Sequence, residues 1–292
     1  MSNVRTRDSV AFQVGIVIFL TAVLFLIIIP FWRVIVTAFI PLDIYTKEGV
    51  SLFLPPTKWT WEAFTQLASH TQFFQSLKNS AIITILGVSI SMILTVPLAY
   101  ALSNRSLPGR RFFVGFILFT YLFNPGLIPN YLLVTSLHLQ NSFFAVVLPP
   151  AVSVYNTLVM MSFFEGLPEE IKEAARLDGA NELQILFKVI LPLSKPILLT
   201  IGLFYTVYFW NEFFTPLLYL TDNSLLPLPV LLRNILISAS LNEFVEYNAF
   251  STVAVESLKA AGVLITMLPM MLVYPWIQRY FTKGTLLGGV KE

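Results

Sequence analysis

Cysteine is absent from this chain, which excludes a disulfide framework and thiolate metal sites. Histidine is nearly absent too. His70 and His138 stand far apart without ligand spacing, and each reads as a surface or interfacial residue. Charge is scarce as well: Lys, Arg, Asp and Glu make up 12% of 292 residues, far less than a soluble domain of this length needs to cover its surface. The formal net charge of +2 offers no basic surface for nucleic acid. No G-x-x-x-x-G-K-S/T cradle for phosphates occurs, and the glycines from Gly284 to Lys291 have the wrong spacing, so the chain is not itself an ATPase. No nucleophile–base–orienter set is recognisable either. The chain reads as a non-enzyme.

What it has in quantity is apolar length. Hydrophobic residues make up 56% of the chain and the mean hydropathy is +0.76, with long apolar runs between short polar connections. A bilayer is the solvent such a pattern fits. About 20 apolar residues cross the hydrocarbon core, and six segments qualify, near residues 10–36, 77–103, 112–136, 143–164, 197–220 and 257–281. The expected fold is all-α: a polytopic membrane protein with six transmembrane helices, residues 1–292 forming one transmembrane domain. The first run, Val10 to Ile40, follows Arg5 and Arg7 as a signal peptide would. It is longer than a signal core of about 7–15 residues and no small-residue cleavage site follows, so it reads as an uncleaved helix. Prolines fall inside several spans, at Pro97, Pro125, Pro129, Pro149, Pro150, Pro216 and Pro269. Each removes a backbone donor and calls for a neighbour to satisfy the freed carbonyl.

Basic residues orient the chain. Arg5 and Arg7, then Arg105, Arg110 and Arg111, then Lys172, Arg176, Lys188 and Lys195, then Arg279, Lys283 and Lys291 share one set of connections. The opposite set has only Lys47, Lys58, Lys78, Arg233 and Lys259. The basic-rich side is expected to be cytoplasmic, with both termini inside. Two outer segments are long enough for structure. Residues 41–75 carry Pro55-Pro56 and then Trp59 and Trp61, a turn followed by an aromatic anchor. Residues 221–256 carry Pro227 and Pro229, then Leu231, Leu232, Ile235 and Leu236 at helical spacing. Short helices at the outer membrane surface are expected in both.

The most informative stretch is the connection Glu165 to Pro196, between the fourth and fifth spans. Pro168 suits a first helical position, and Glu169 and Glu170 complement the positive end of the helix dipole. Ile171, Ala174 and Ala175 then share one face. Gly179 can take the positive φ that ends a helix, and Asn181 can cap a second one. In that second helix Leu183, Leu186, Phe187 and Ile190 are expected to form one stripe. Pro192 and Pro196 mark the return to the membrane. The spacing predicts two short amphipathic helices joined at a glycine, with alanines that allow close approach by another surface. Such a pair can dock a partner, or pack beneath its own membrane helices.

Glu173-Ala174-Ala175, Asp178-Gly179-Ala180, Phe187 and Ile190-Leu191-Pro192 resemble the EAA coupling motif of binding-protein-dependent ABC importer permeases. Tyr155-Asn156 through Phe163-Phe164, Leu167-Pro168, Trp210-Asn211-Glu212-Phe213 and Gly288-Gly289-Val290-Lys291 resemble the carbohydrate-uptake subgroup. There the chain is similar to the second permease of maltose-type and alginate or other polysaccharide-fragment importers. The resemblance implies a type I importer permease of the bacterial inner membrane, with residues 165–196 as the cytoplasmic coupling loop. Glu173 to Ala180 would sit in a groove of an ATP-binding cassette subunit, and the tail after Lys283 would reach toward the ATPase pair, as in some relatives. The implied partners are a second permease, two ATP-binding cassette subunits, an extracytoplasmic solute-binding protein, a sugar and lipid. No cofactor belongs to the chain, ATP and Mg being held by the ATPase subunits.

Ionisable groups inside a membrane cost on the order of 2.5–3.5 kcal/mol on insertion scales, and Glu212 is the clearest one here. It lies beside Asn211, with Tyr205, Tyr208, Trp210 and Tyr219 nearby in sequence. Aromatic faces with amides and carboxylates suit sugar rings, so Asn211 and Glu212 are candidates to line or gate a pathway. The alternative is that Glu212 bonds a neighbouring helix or backbone freed near Pro216. Asn124, before Pro125-Gly126, and Tyr155-Asn156 are further candidates, or else kinks with local hydrogen bonds. Rival functions are import of a peptide or polyamine, an ion-gradient transporter, and a membrane scaffold.

Overall fold

No water in hydrocarbon can satisfy a backbone N–H or C=O, so runs this apolar are left with the helix. The structure, a computed structural model, describes residues 7–50, 53–245 and 253–288, and among them there is no strand. Arg5 and Lys291, used above for orientation, and Gly289 and Val290 of the closing motif lie outside the described residues. The helices are α1 Arg7–Ala38, α2 Leu42–Glu48, α3 Glu62–Ser69, α4 Phe73–Ser103, α5 Arg110–Leu122, α6 Leu127–Ser136, α7 Phe143–Val147 and α8 Val154–Glu165. After them come α9 Glu169–Leu177, α10 Glu182–Ile185, α11 Leu191–Leu193, α12 Lys195–Asn211, α13 Phe214–Tyr219, α14 Leu228–Val245 and α15 Val255–Gly288.

By length and apolarity alone, α1, α4 and the Val255–Leu272 part of α15 can each cross a membrane. Two bent pairs raise the number to five: α5 with α6, bent by 110°, and Glu182–Leu193 with α12, bent by 86°. The expected span at 112–136 is therefore not straight. It breaks at Asn124-Pro125-Gly126, where Gly126 has φ +86° and its N–H donates to the Asn124 side chain at 2.9 Å. The expected span at 143–164 is divided into α7 and α8, because Pro149 and Pro150 remove two successive backbone donors. That at 197–220 stops at Asn211 and resumes as α13. Pro97 and Pro269, by contrast, are carried inside continuous helices.

Two compact units make up the chain. One comprises residues 1–71 and 234–268. Its apolar residues Phe12, Leu20 and Leu26 on α1 are exposed, the condition of a segment solvated by lipid. At the helix end and just beyond it, Val36, Ile40 and Leu54 form a small core. The Phe39 ring stacks on Trp59 at 4.7 Å, and the Trp59 indole N–H donates to the Leu54 carbonyl at 3.0 Å. Trp59 is thus spent inside the unit, whereas Trp61 is exposed.

The other unit comprises residues 72–233 and 269–292, and α4 is its axis, packed against α8 and α12. Gly87, Ser91, Thr95 and Ala99 recur every four residues on the buried side of α4, and small residues let helix backbones approach closely. Into that seam project Ile201, Tyr205 and Phe209 of α12, all buried. The Tyr205 hydroxyl shares a 2.7 Å hydrogen bond with Thr95 and accepts from the Ser153 N–H at 3.0 Å, which ties the break before α8 to both long helices. Asn79 of α4 donates to the carbonyls of Ser224 and Leu226, and the Ser80 hydroxyl accepts from the Leu228 N–H. The run at 228–236 is helical, as its spacing predicts.

A methyl group at Gly87 would lie 2.5–2.6 Å from Cγ, Cδ2 and Cε2 of Phe209. Overpacking of this kind costs about 1–3 kcal/mol, so Gly87→Ala should lower the thermal midpoint of the detergent-solubilised chain. Adding Phe209→Leu should recover part of the loss.

Candidate functional site

The connection 165–196 begins where Phe164, fully buried, closes α8. Pro168 precedes the next helix rather than opening it. Its ψ of 128° is extended, so α9 starts at Glu169 with Glu169 and Glu170 in its first turn. Gly179 ends the helix with φ +80°. The N–H groups of Asp178, Gly179 and Ala180 return to the carbonyls of Ala174, Arg176 and Ala175, each at 3.0 Å, which satisfies the orphan acceptors of the last turn. Asn181 and Gln184 then exchange side-chain and backbone hydrogen bonds at 2.9 Å, a capping box that starts α10. A π-helical turn over Leu186–Ile190 follows. Pro192, inside α11, can make no helical bond back to Lys188.

The expected apolar stripe of the second helix is split. Leu186 and Ile190 are buried, together with Ile185, and join the main core of their unit. Leu183, before the π turn, and Phe187, within it, point away and are exposed. Leu177, just before the bend, is 89% exposed. Of the motif residues, Glu173, Ala174, Asp178, Gly179, Phe187 and Pro192 are exposed, while Ala175 and Ala180 pack partly against the core. The hairpin therefore has an inner side that belongs to the bundle and an outer side carrying Leu177, Leu183 and Phe187.

Its polar side is a chain of ion pairs. Lys172, only 5% exposed, donates to Glu169 at 2.9 Å. Arg176 reaches Glu169 at 3.6 Å and Glu182 at 3.1 Å. The second oxygen of Glu182 accepts from the Tyr100 hydroxyl of α4 at 2.8 Å. The hydrogen bond from Lys172 holds the Glu169 carboxyl below its ordinary range, and that from Tyr100, backed by Arg176, does the same for Glu182. Both groups are thus ionised at neutral pH. The clamp weakens only as the pH falls through and below the usual carboxylate range. Separately, Arg110 pairs with Glu165 and donates to the Leu102 carbonyl at 2.7 Å, fixing the start of α5 to the ends of α4 and α8.

Within the bundle, Tyr155 and Asn156 of α8 line a cavity of about 450 Å³ with Ser153, Phe204, Tyr205 and Tyr208. Small-molecule pockets span about 300–1,000 Å³. Tyr155 and Phe204 lie 6.4 Å apart across it. The other candidate pathway residues are not part of this lining. Asn211 donates to the Val207 carbonyl at 2.8 Å, and Glu212 accepts from the Thr215 N–H at 2.8 Å, at the start of the helix that contains Pro216. Asn124 serves the turn at Gly126. Residue spacing gave no sign of Tyr100, Glu182 or Phe204. Tyr100 and Glu182 are 82 positions apart, and of the pairs in this clamp the Glu169–Lys172 one has the adjacent-turn spacing that a helix makes readable.

A side chain at Gly179 would meet no neighbour, so its requirement is conformational. A left-handed conformation costs an ordinary residue about 1–2 kcal/mol. Gly179→Ala should therefore speed hydrogen exchange at the backbone amides of Asp178 to Ala180, and Gly179→Asn should do so less.

The profile of the family described as binding-protein-dependent transport system inner membrane component matches residues 73–286. The chain is 38% identical over 267 residues, 90% of its own length and 92% of the relative's, to a polygalacturonan/rhamnogalacturonan transport system permease protein of Bacillus subtilis. It is 29% identical over 270 residues, 91% of its own length and 92% of the relative's, to an arabinooligosaccharides transport system permease protein of Halalkalibacterium halodurans. Among solved structures it resembles a chain of a bacterial ABC transporter involved in the import of the acidic polysaccharide alginate. The TM-score is 0.85 at 29% identity, with 96% of this chain and 100% of that one covered.

Proposed function

The chain belongs to the family of binding-protein-dependent transport system inner membrane components, and from that premise we propose that it is one permease of an ATP-driven importer of oligosaccharides. The observation that carries the reading is the two-sided hairpin at 165–196. Its inner side is anchored in the bundle through Ile185, Leu186 and Ile190, and its outer side leaves Leu177, Leu183 and Phe187 exposed beside the motif residues Glu173, Ala174 and Asp178. Large apolar side chains on a cytosolic projection call for a partner surface. That partner is an ATP-binding cassette subunit, one of two, which hold ATP and Mg. Their closure draws the hairpins together and switches the membrane cavity between inward and outward access.

A second permease completes the pathway, and a solute-binding protein delivers the cargo from outside. Both termini lie in the cytoplasm of a bacterial cell, and the chain itself catalyses nothing. The named relatives carry polygalacturonan, rhamnogalacturonan, arabinooligosaccharides and alginate, so the cargo is a sugar oligomer rather than a peptide or polyamine. Family membership also sets aside the ion-gradient transporter and the scaffold. Tyr155 and Asn156 carry the pathway role, since they open on a cavity whose aromatic walls can stack on the C–H faces of a sugar. Asn211, Glu212 and Asn124 contribute by shaping the helix breaks on which that cavity depends.

Reconstitution in proteoliposomes tests this, with oligogalacturonides, alginate oligomers and arabino-oligosaccharides as probes. Uptake of at least one is expected only with ATP, both ATPase subunits and the binding protein present. Gly179→Asp should abolish it by preventing ATPase binding or by uncoupling hydrolysis from transport. Uptake by this chain alone on an ion gradient, or normal uptake by Gly179→Asp, would overturn the assignment.

A further inference from the structure

The end of α4 and the hairpin do not pack flush. A cavity of about 390 Å³ lies between them, lined by Pro97, Tyr100 and Ser103 on one side and by Lys172, Arg176 and Leu186 on the other. The Tyr100–Glu182 hydrogen bond crosses this hollow. Through its two carboxylate oxygens Glu182 joins three elements: α4 by Tyr100, α9 by Arg176, and α10, where it stands itself.

The hairpin's own shape does not rely on that bond. It is fixed by the Gly179 turn, the Asn181–Gln184 box and the Arg176 pairs with Glu169 and Glu182. Its apolar anchorage lies mostly in its second half, at Ile185, Leu186 and Ile190. The helix that bears the motif, α9, touches the core with the methyl of Ala175 and has its polar route to α4 through Arg176, Glu182 and Tyr100. A hollow gives the hairpin room to move relative to α4, and the strut across it decides how much of that movement α4 shares.

We propose that Tyr100 and Glu182 are positioning residues that transmit displacement of the hairpin to α4, so that the hydrogen bond between them sets how tightly ATP hydrolysis is coupled to transport. The proposal rests on the importer reading above. Because α4 is the axis of its unit, and α12 and α8 carry the aromatic cavity against it, a shift passed to α4 is a shift passed to the pathway.

The test uses the complete importer in proteoliposomes, with oligogalacturonide uptake and ATP hydrolysis measured on the same preparation. Tyr100→Phe removes the strut and leaves every hydrogen bond and ion pair within the hairpin in place. Its complex should assemble in normal yield and hydrolyse ATP, while the number of sugar molecules imported per ATP falls about fivefold or more, the scale of a typical coupling energy. Glu182→Gln keeps an acceptor for the Tyr100 hydroxyl and should retain most of the ratio. Tyr100→Phe combined with Glu182→Gln, which keeps an acceptor for Arg176, should be no worse than Tyr100→Phe alone. An unchanged ratio in Tyr100→Phe overturns the proposal, and so does a parallel loss of assembly, hydrolysis and uptake, which is what a merely structural role would give. If the unmodified chain neither binds an ATPase nor supports ATP-driven uptake, the importer reading itself fails and takes the strut with it.

Discussion

Backbone groups freed where a membrane helix breaks have no water to turn to, and this chain breaks its helices repeatedly. At several of the breaks one polar side chain takes up the freed group. Asn124 takes the Gly126 N–H, Tyr205 takes the Ser153 N–H, Glu212 takes the Thr215 N–H, and Asn79 gives its amide to the carbonyls of Ser224 and Leu226. These are few hydrogen bonds in a large apolar body, and each satisfies a group that a straight helix would have paired internally. Tyr205 does most, since one hydroxyl joins α4, α12 and the cap of α8.

Broken spans are useful because of what they leave between them. The division of residues 143–165 at Pro149-Pro150 sets Ser153, Tyr155 and Asn156 at the rim of an aromatic cavity, where a straight helix would have filled the space. The 86° turn between the hairpin's second half and α12 does the corresponding work at the other end of the helix. It joins the two-helix projection, through a near right angle, to a cavity-lining helix, Phe204, Tyr205 and Tyr208 being on α12. The unit is thus a mechanical series running from an apolar outer surface, through a charged clamp, to a packed axis and an aromatic pocket.

Much of this was legible in the residues. Apolar length gave the helical class, and the hairpin followed from three local signals: the acidic first turn at Glu169 and Glu170, Gly179, and the Asn181 cap. All three act over a few residues, so the chain declares them directly. Two kinds of feature escaped. The first is local but depends on competition: Pro97 and Pro269 are absorbed by continuous helices, whereas Pro125 and Pro149-Pro150 break theirs, and the decision lies with neighbouring helices rather than with the proline. The exposure of Leu183 and Phe187 beside buried Leu186 and Ile190 belongs here too, since an ideal 3.6-residue period would keep the four together. The second kind is long-range. Tyr100 meets Glu182 and Thr95 meets Tyr205 across 82 and 110 positions, and no spacing announces such pairs.

In the proposed importer the outer surface of the hairpin is covered by a nucleotide-hydrolysing subunit. The absence of cysteine makes a direct measurement possible: a single thiol at position 177, from Leu177→Cys, reacted with a maleimide in membranes that contain the chain with or without its ATPase subunits. Fast labelling of the chain without those subunits, and slow labelling in the assembled complex, is the result expected of a buried docking surface. Equal rates in the two membranes would contradict it.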